Sequence, residues 1–170
     1  MPKYNKKITR EMEYNEFKAS IDALPIARQA FLSILFFAGV RISEALALTS
    51  NDISCTPDTV YVQFKRLKGS KPTDPTELPR ADALEWLCHQ EGKLFSFCRK
   101  TGYNIVKSVF PDLYPHYFRL NRVTKVLDQF SVVTVQNIFG LSLNSITYYI
   151  GRVDIKRVGK ALHAEIQERR

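Results

Sequence analysis

The largely apolar run at 27–48 is interrupted by Gly39 and Arg41, and this interruption constrains the fold more than any other feature of the sequence. The residues before Gly39 are apolar on most sides, which predicts a central helix that ends at the glycine. Helical spacing resumes over 43–48, so Arg41 lies where a new helix begins and its guanidinium can face a cleft. Glu44 is close enough to hold Arg41 by a charge-assisted hydrogen bond, although a plain surface ion pair fits the same spacing.

Two kinds of hydrophobic pattern follow along the rest of the chain. Alternating β-branched and aromatic residues at 59–64 predict a strand, turn-forming residues fill 68–75, and 76–79 predicts the return strand of a hairpin. Helical periodicity predicts helices from about Met12 and at 27–37, 43–48, 81–88, 103–109, 119–130, 133–139 and 155–170. The sequence therefore predicts an α+β domain that is mostly α-helical with a small antiparallel β-sheet.

The charge balance is strongly basic. Lysine and arginine total 25 against 17 acidic residues, which gives a formal net charge of +8 and a pI near 9.5. This balance favours a polyanionic partner, such as nucleic acid or an acidic membrane surface. Residues 1–10, which include Lys6 and Lys7, predict a basic arm that is flexible without a partner. We expect residues 11–170 to form one domain.

Several classes of protein are disfavoured by what the sequence lacks. No apolar stretch reaches the ~18 to 20 residues that a bilayer span needs, and the N-terminal residues do not form a secretion signal, so we expect a cytoplasmic protein without a membrane partner. The three cysteines, Cys55, Cys88 and Cys98, are odd in number and lack CxxC spacing. They predict neither a disulfide framework nor a zinc site, with Cys88 as a buried thiol.

Four segments of the sequence together resemble the signature motifs of one protein family. "GVRISEALALTSNDI" at 39–53 resembles the first box of the tyrosine recombinases and phage integrases, and "PHYFR" at 115–119 resembles their second box. "LKGSKP" at 67–72 is similar to the turn of the family's β-hairpin. "GKLF" at 92–95 and "NIFGLSLNSITYYI" at 137–150 also follow the family pattern. The resemblance implies the tyrosine recombinase catalytic-domain fold.

The resemblance also implies roles for particular residues. Arg41 and Arg119 correspond to the arginines that clamp the oxygens of one DNA phosphate and stabilise a pentavalent transition state. Lys68 corresponds to the lysine that protonates the leaving 5′ oxygen. His116 corresponds to the histidine that binds the scissile phosphate or assists deprotonation of a tyrosine nucleophile. The chemistry forms a 3′-phosphotyrosine bond without cofactor or metal.

Further basic residues of the hairpin are expected to contact DNA phosphates. They are Lys65, Arg66 and Lys71. A solvated basic hairpin without a ligand is the alternative. The arm residues Lys6 and Lys7 are expected to bind DNA as well.

The sequence departs from the family pattern at two positions. Leu141 stands after Gly140 where the family usually has His or Trp, and leucine cannot hydrogen-bond a phosphate. The family's tyrosine lies about ten residues past that glycine, where this chain has Ile150. The nearest phenols are Tyr149, which we favour as nucleophile, and Tyr148. Neighbouring helical residues point about 100° apart, so one of them at most faces the phosphate, and core packing of both is the alternative.

The resemblance implies a site-specific recombinase or integrase of a virus, plasmid or other mobile element. Such an enzyme acts on double-stranded DNA, is expected to form a homo-oligomer, a tetramer, on its substrate, and works in the host cytoplasm beside the nucleoid. We expect the chain to lack the N-terminal DNA-binding domain of most integrases. A catalytically silent DNA-binding protein on the same scaffold and a relaxing enzyme similar to type IB topoisomerases remain alternatives.

Overall fold

The structure is a computed structural model that describes residues 11–65, 73–80, 83–142, 145, 146 and 149. The helices in these ranges are α1 (Tyr14–Ile21), α2 (Ile26–Ala38), α3 (Ile42–Leu46), α4 (Ala83–Leu87), α5 (Arg99–Val109), α6 (Pro115–Leu127) and α7 (Val132–Phe139). The strands are β1 (Ile53–Cys55), β2 (Thr59–Val62) and β3 (Thr76–Pro79), and a short 3-10 helix covers Ser50–Asp52. The predicted class, mostly α-helical with a small antiparallel β-sheet, is confirmed.

The sheet has three antiparallel strands in the order β1-β2-β3. Val60 lies opposite Cys55 on one side and Leu78 on the other. Buried and half-buried residues alternate along β2, as the period-2 pattern predicts, and the hairpin of β2 and β3 is confirmed. The sequence analysis missed β1, because a strand of three half-buried or exposed residues has too little alternation to recognise.

Helix α2 is the centre of the main hydrophobic core. Its side chains Phe31, Leu32 and Leu35 are fully buried, and the helix packs against α4 on one side and α6 on another. Burial on several faces explains why α2 is apolar nearly all round. A second, smaller cluster lies between α6 and α7 and contains Leu120, Val123, Val135, Phe139, Leu141, Ile146 and Tyr149. The two clusters meet along α6, which therefore has one side in each.

Two helices begin earlier than the periodicity predicts. Helix α5 begins at Arg99 rather than 103, and α6 begins at Pro115 rather than 119. Proline is well suited to the first position of a helix, where its missing N–H is not needed, and Tyr114 before it is extended. The early start places His116 and Arg119 on one helix. The predicted arm 1–10, the helix 155–170 and residues 68–72 of the turn lie outside the described residues.

A disulfide joins Cys55 at the end of β1 to Cys88 just after α4, with the two Cα atoms 6.1 Å apart. The prediction that the cysteines form no disulfide is therefore wrong, as is the prediction of a free, buried Cys88 thiol. The two cysteines are 33 residues apart, and only the folding of the sheet beside α4 brings them together. Cys98 is the free cysteine and is exposed.

Helix length and hydropathy also bear on the question of membrane spans. Among the helices of the described residues, none is both long enough and apolar enough to cross a bilayer.

Candidate active site

The site begins at the turn between α2 and α3. Gly39 ends α2 in the left-handed conformation, with φ of 59°, and Arg41 follows in an extended conformation as the residue that caps α3. Glu44 Oε2 accepts a hydrogen bond from the Arg41 backbone N–H at 3.0 Å, and Glu44 Oε1 accepts one from Arg41 Nη1 at 2.9 Å. Glu44 is completely buried, whereas the Arg41 side chain is 35% exposed. The buried carboxylate thus fixes an arginine whose outer side faces solvent.

Arg119 is held in a different way, by backbone carbonyls. Its Nη1 donates to the carbonyl of Gly39 at 2.9 Å and its Nη2 donates to the carbonyl of Phe139 at 3.1 Å. These carbonyls lie at the C-terminal ends of α2 and α7, where the helix dipole favours a cation. The guanidinium also lies 5.7 Å from the centroid of the Phe139 ring. We call Arg119 with these two carbonyls the arginine cradle.

The cradle keeps a positive charge inside the protein. Arg119 is only 1% exposed, and burial lowers its pKa from the usual value for arginine. Tyr149 and Glu44 oppose that effect, while repulsion from Arg41 adds to it. Within the described residues, Nε of Arg119 is a buried donor without a hydrogen-bond partner. A buried donor without a partner costs about 1–3 kcal/mol, so a ligand oxygen at this nitrogen would be favoured.

Tyr149 completes this group of side chains. Tyr149 is only 4% exposed and interacts electrostatically with Arg119, which favours the charged guanidinium and raises its pKa. The structure therefore brings Arg41, Glu44, Arg119 and Tyr149 into one interacting set, although 108 positions separate the first from the last (149 − 41). Its members come from the start of α3, from α6 and from beyond α7.

His116 lies on the same helix as Arg119. It is exposed and stands three residues earlier on α6, so the two side chains are neighbours on the helix surface. This placement puts an imidazole within one helical turn of the arginine cradle.

Lys65 has an acidic partner. Its Nζ lies 3.2 Å from Oδ1 of Asp52, which is 8% exposed. Burial works against ionisation of Asp52, but hydrogen bonds from the Thr49 hydroxyl and N–H, together with Lys65, hold the pKa of this carboxyl below its ordinary value. The lysine that we expected to contact DNA phosphate is therefore paired with a carboxylate in the protein without DNA.

The remaining predicted site residues fall into two groups. Leu141 is buried in the smaller apolar cluster, so its side chain offers no hydrogen bond to the site. The others lie outside the described residues, and they are Lys6, Lys7, Arg66, Lys68, Lys71 and Tyr148.

Two features of the site were missed by sequence reasoning. The carbonyl acceptors of the arginine cradle carry no side-chain signature, but both lie where a glycine, Gly39 or Gly140, ends a helix in the left-handed conformation. The glycines predict where the two helices end, but no local pattern shows that the two ends meet at Arg119. The anchoring of Asp52 by Thr49 follows the capping-box spacing of a hydroxyl residue and an acidic residue three positions later, and that signal was present in the sequence.

Comparison with solved structures finds similar chains among site-specific recombinases. The crystal structure of XerH recombinase bound to difH substrate, a pre-cleavage complex, has a TM-score of 0.67 and 20% identity over 85% of this chain and 51% of that one. A post-cleavage XerH complex with palindromic difH gives 0.66 and 22% over 95% and 54%. XerA recombinase gives 0.61 and 18% over 94% and 65%.

The chain thus spans about half to two thirds of the length of these recombinases. The sequence matches no protein-family model, and no curated protein is similar enough to count as a relative.

Proposed function

The chain has the catalytic-domain fold of the tyrosine recombinases, and from this premise we propose that it is a site-specific DNA recombinase. It cleaves and rejoins strands of double-stranded DNA through a covalent 3′-phosphotyrosine intermediate. Its source is a virus, plasmid or other mobile element. It acts as a homotetramer on DNA, in the host cytoplasm beside the nucleoid.

The observation that carries this proposal is the interaction of Tyr149 with the buried guanidinium of Arg119. It places a phenol near a buried guanidinium whose hydrogen-bond partners are neutral carbonyls. A phosphate bound by Arg119 would therefore lie near the phenol that must attack it, and such proximity lowers the barrier. Arg41 adds a second planar donor from α3, and together the two arginines stabilise the charge of the pentavalent transition state.

The proposed cleavage step is a substitution at phosphorus. The Tyr149 oxygen bonds to phosphorus, and the bond from phosphorus to the 5′ oxygen breaks. Lys68 gives its proton to the leaving 5′ oxygen, and the phenol proton passes to His116, or to water where His116 binds the phosphate instead. The phosphotyrosine bond conserves the energy of the phosphodiester, so the reverse attack by a 5′ hydroxyl rejoins the strand without ATP.

The two central groups of the proposed reaction, Arg119 and Tyr149, are both buried. Arg119 is 1% exposed and Tyr149 is 4% exposed, so side chains that cover the guanidinium must move before a DNA phosphate can bind it.

A second function is favoured by Leu141. It stands where the tyrosine recombinases usually have His or Trp, and it is buried in apolar surroundings without a group that could bind phosphate. The loss of one such donor commonly lowers the rate by about ten- to a thousand-fold. A catalytically silent DNA-binding protein that kept the recombinase scaffold is therefore the alternative.

The test is covalent capture on a suicide duplex that carries a nick next to the cleavage position. We expect the wild-type protein to form a DNA adduct on a denaturing gel, and mass spectrometry of the linked peptide to identify Tyr149. The Tyr149→Phe variant should lose the adduct, and the Tyr148→Phe variant is the matched control that should keep it.

Three other outcomes would each replace the proposal. DNA binding without any adduct would identify the silent binder. Relaxation of supercoiled plasmid without recombinant products would identify a relaxing enzyme similar to type IB topoisomerases. An adduct on Tyr148 would show that the Arg119–Tyr149 contact does not mark the nucleophile.

A further inference from the structure

Arg122 lies one helical turn beyond Arg119 on α6, against the same glycine. A methyl group on Gly39 would lie 2.8 Å from Cβ of Arg122 and 3.1 Å from its Cγ. The glycine whose carbonyl holds Arg119 therefore also provides the space for the stem of Arg122. The guanidinium end of Arg122 is left at the surface, since the residue as a whole is exposed.

The two cations that follow Arg119 along α6 differ in their partners. Lys125 Nζ lies 3.5 Å from Glu13 Oε1 and 3.9 Å from Glu11 Oε2. Arg122, within the described residues, makes no hydrogen bond and no ion pair. Glu11 and Asp128 line the same shallow depression as Arg122, but the nearer cation of Glu11 is Lys125. Partial burial lowers the pKa of Arg122, so its charge loses hydration without gaining a counter-ion.

We propose that Arg122 binds a second phosphate of the DNA strand, beside the phosphate held by Arg119. This inference rests on the proposed function and adds a contact to it. Side chains three residues apart on a helix have Cβ atoms about 5–6 Å apart, and phosphates of one strand rise about 3.4 Å per nucleotide. Arg122 is therefore in reach of a phosphate next to the scissile one. A planar guanidinium that stays charged and has no carboxylate partner is suited to bind it.

The test is the salt dependence of DNA affinity, measured by fluorescence anisotropy with a labelled duplex. Arg122→Met keeps the apolar stem over Gly39 and removes the charge. It should lower the slope of log affinity against log salt by about 0.9, the value for one lost phosphate contact. The affinity difference from wild type should shrink about threefold between 50 and 200 mM salt. Arg122→Lys restores the charge and should restore most of the slope.

Arg28→Met is the matched control. Arg28 is also an exposed arginine without an ion pair in the described part of the chain, but it lies in the first turn of α2, about 16 Å along that helix from Gly39. It should leave the slope unchanged. If Arg122→Met and Arg28→Met give the same slope as wild type, Arg122 binds no phosphate, while adduct formation by the wild type would still support the proposed function. A wild-type protein without DNA affinity would overturn both.

Discussion

The arginine cradle and the sheet region, by which we mean residues 50–65 with β3 and α4, hold their charged and linking groups in opposite ways. In the cradle, a buried cation is held by neutral carbonyls, so its charge remains available to a ligand. In the sheet region, Lys65 is paired with the buried carboxylate of Asp52, and a disulfide ties β1 to α4. In the proposed function, the cradle supplies charge for the reaction, whereas the sheet region supplies a fixed framework.

The largest expected effect is a loss of stability on removal of the disulfide. It tests whether the sheet region and the arginine cradle are independent. The double variant Cys55→Ser with Cys88→Ser opens a loop of 33 residues, and the loss of that constraint on the unfolded chain should cost about 3–4 kcal/mol of unfolding free energy. Urea denaturation measures it. Neither cysteine belongs to the arginine cradle, whose partners for Arg119 are Gly39 and Phe139, so adduct formation should persist at temperatures where the variant is folded.

Cys98→Ser is the control for that experiment, because Cys98 is exposed and not in the disulfide. It should change the unfolding free energy by less than about 0.5 kcal/mol. A stable double variant that forms no DNA adduct would mean that the disulfide acts on the reaction and that the two regions are not independent.

The same contrast explains what could be predicted of the fold from the sequence. Helix α2 and the β2–β3 hairpin were predictable because burial leaves a local periodic pattern in their residues. Strand β1 has three residues and no clear alternation. The start of α6 was missed because its first residue is Pro115, and proline is not a residue that helical periodicity identifies. The Cys55–Cys88 bond is a long-range contact, and no local spacing encodes it.

The candidate site divides in the same way. Arg41 with Glu44 is a local arrangement, and the turn after Gly39 was sufficient to predict it. The meeting of Arg119 with Tyr149 is not local, and only the resemblance of the motifs to the tyrosine recombinases indicated it. The carbonyls of the cradle were missed because every residue has a backbone carbonyl, and only the fold decides which ones lie together.

The second prediction breaks the cradle itself. Gly39→Ala places a side chain at a φ of 59° and a Cβ 2.8 Å from Arg122 Cβ, on backbone whose carbonyl holds Arg119. The backbone conformation costs about 1–2 kcal/mol, and relief of the clash should raise the total to about 2–3 kcal/mol. Urea denaturation measures the loss of stability, and adduct formation should fall with it because the carbonyl must shift.

Gly92→Ala is the matched control for the clash. Gly92 has a similar φ of 66°, but a Cβ there would meet nothing within 4 Å. It should cost only the backbone part, about 1–2 kcal/mol, and leave adduct formation unchanged. Equal costs and equal activities for the two alanines would show that the close approach of α6 to Gly39 is not needed to hold the cradle.

The smallest expected effect concerns the ion pair of Lys65 with Asp52, which we test through the pH dependence of the unfolding free energy. The pKa of Asp52 is lowered in the folded protein, so its contribution to stability is present above the ordinary value of 3.8 and is lost as the pH falls through the lower, folded value. Asp52→Asn should therefore reduce the unfolding free energy at pH 7, by less than about 1 kcal/mol because Lys65 is exposed. At pH 3 and below, the difference from wild type should shrink.

Asp22→Asn is the control on the surface, because Asp22 pairs with Lys18 and both side chains are exposed. It should change the unfolding free energy by less than about 0.5 kcal/mol at either pH. If Asp52→Asn costs the same at pH 3 as at pH 7, the ionised carboxylate does not stabilise the sheet region, and its pairing does not keep Lys65 from DNA. The contrast between a paired lysine and a cradled arginine would then no longer distinguish the two regions.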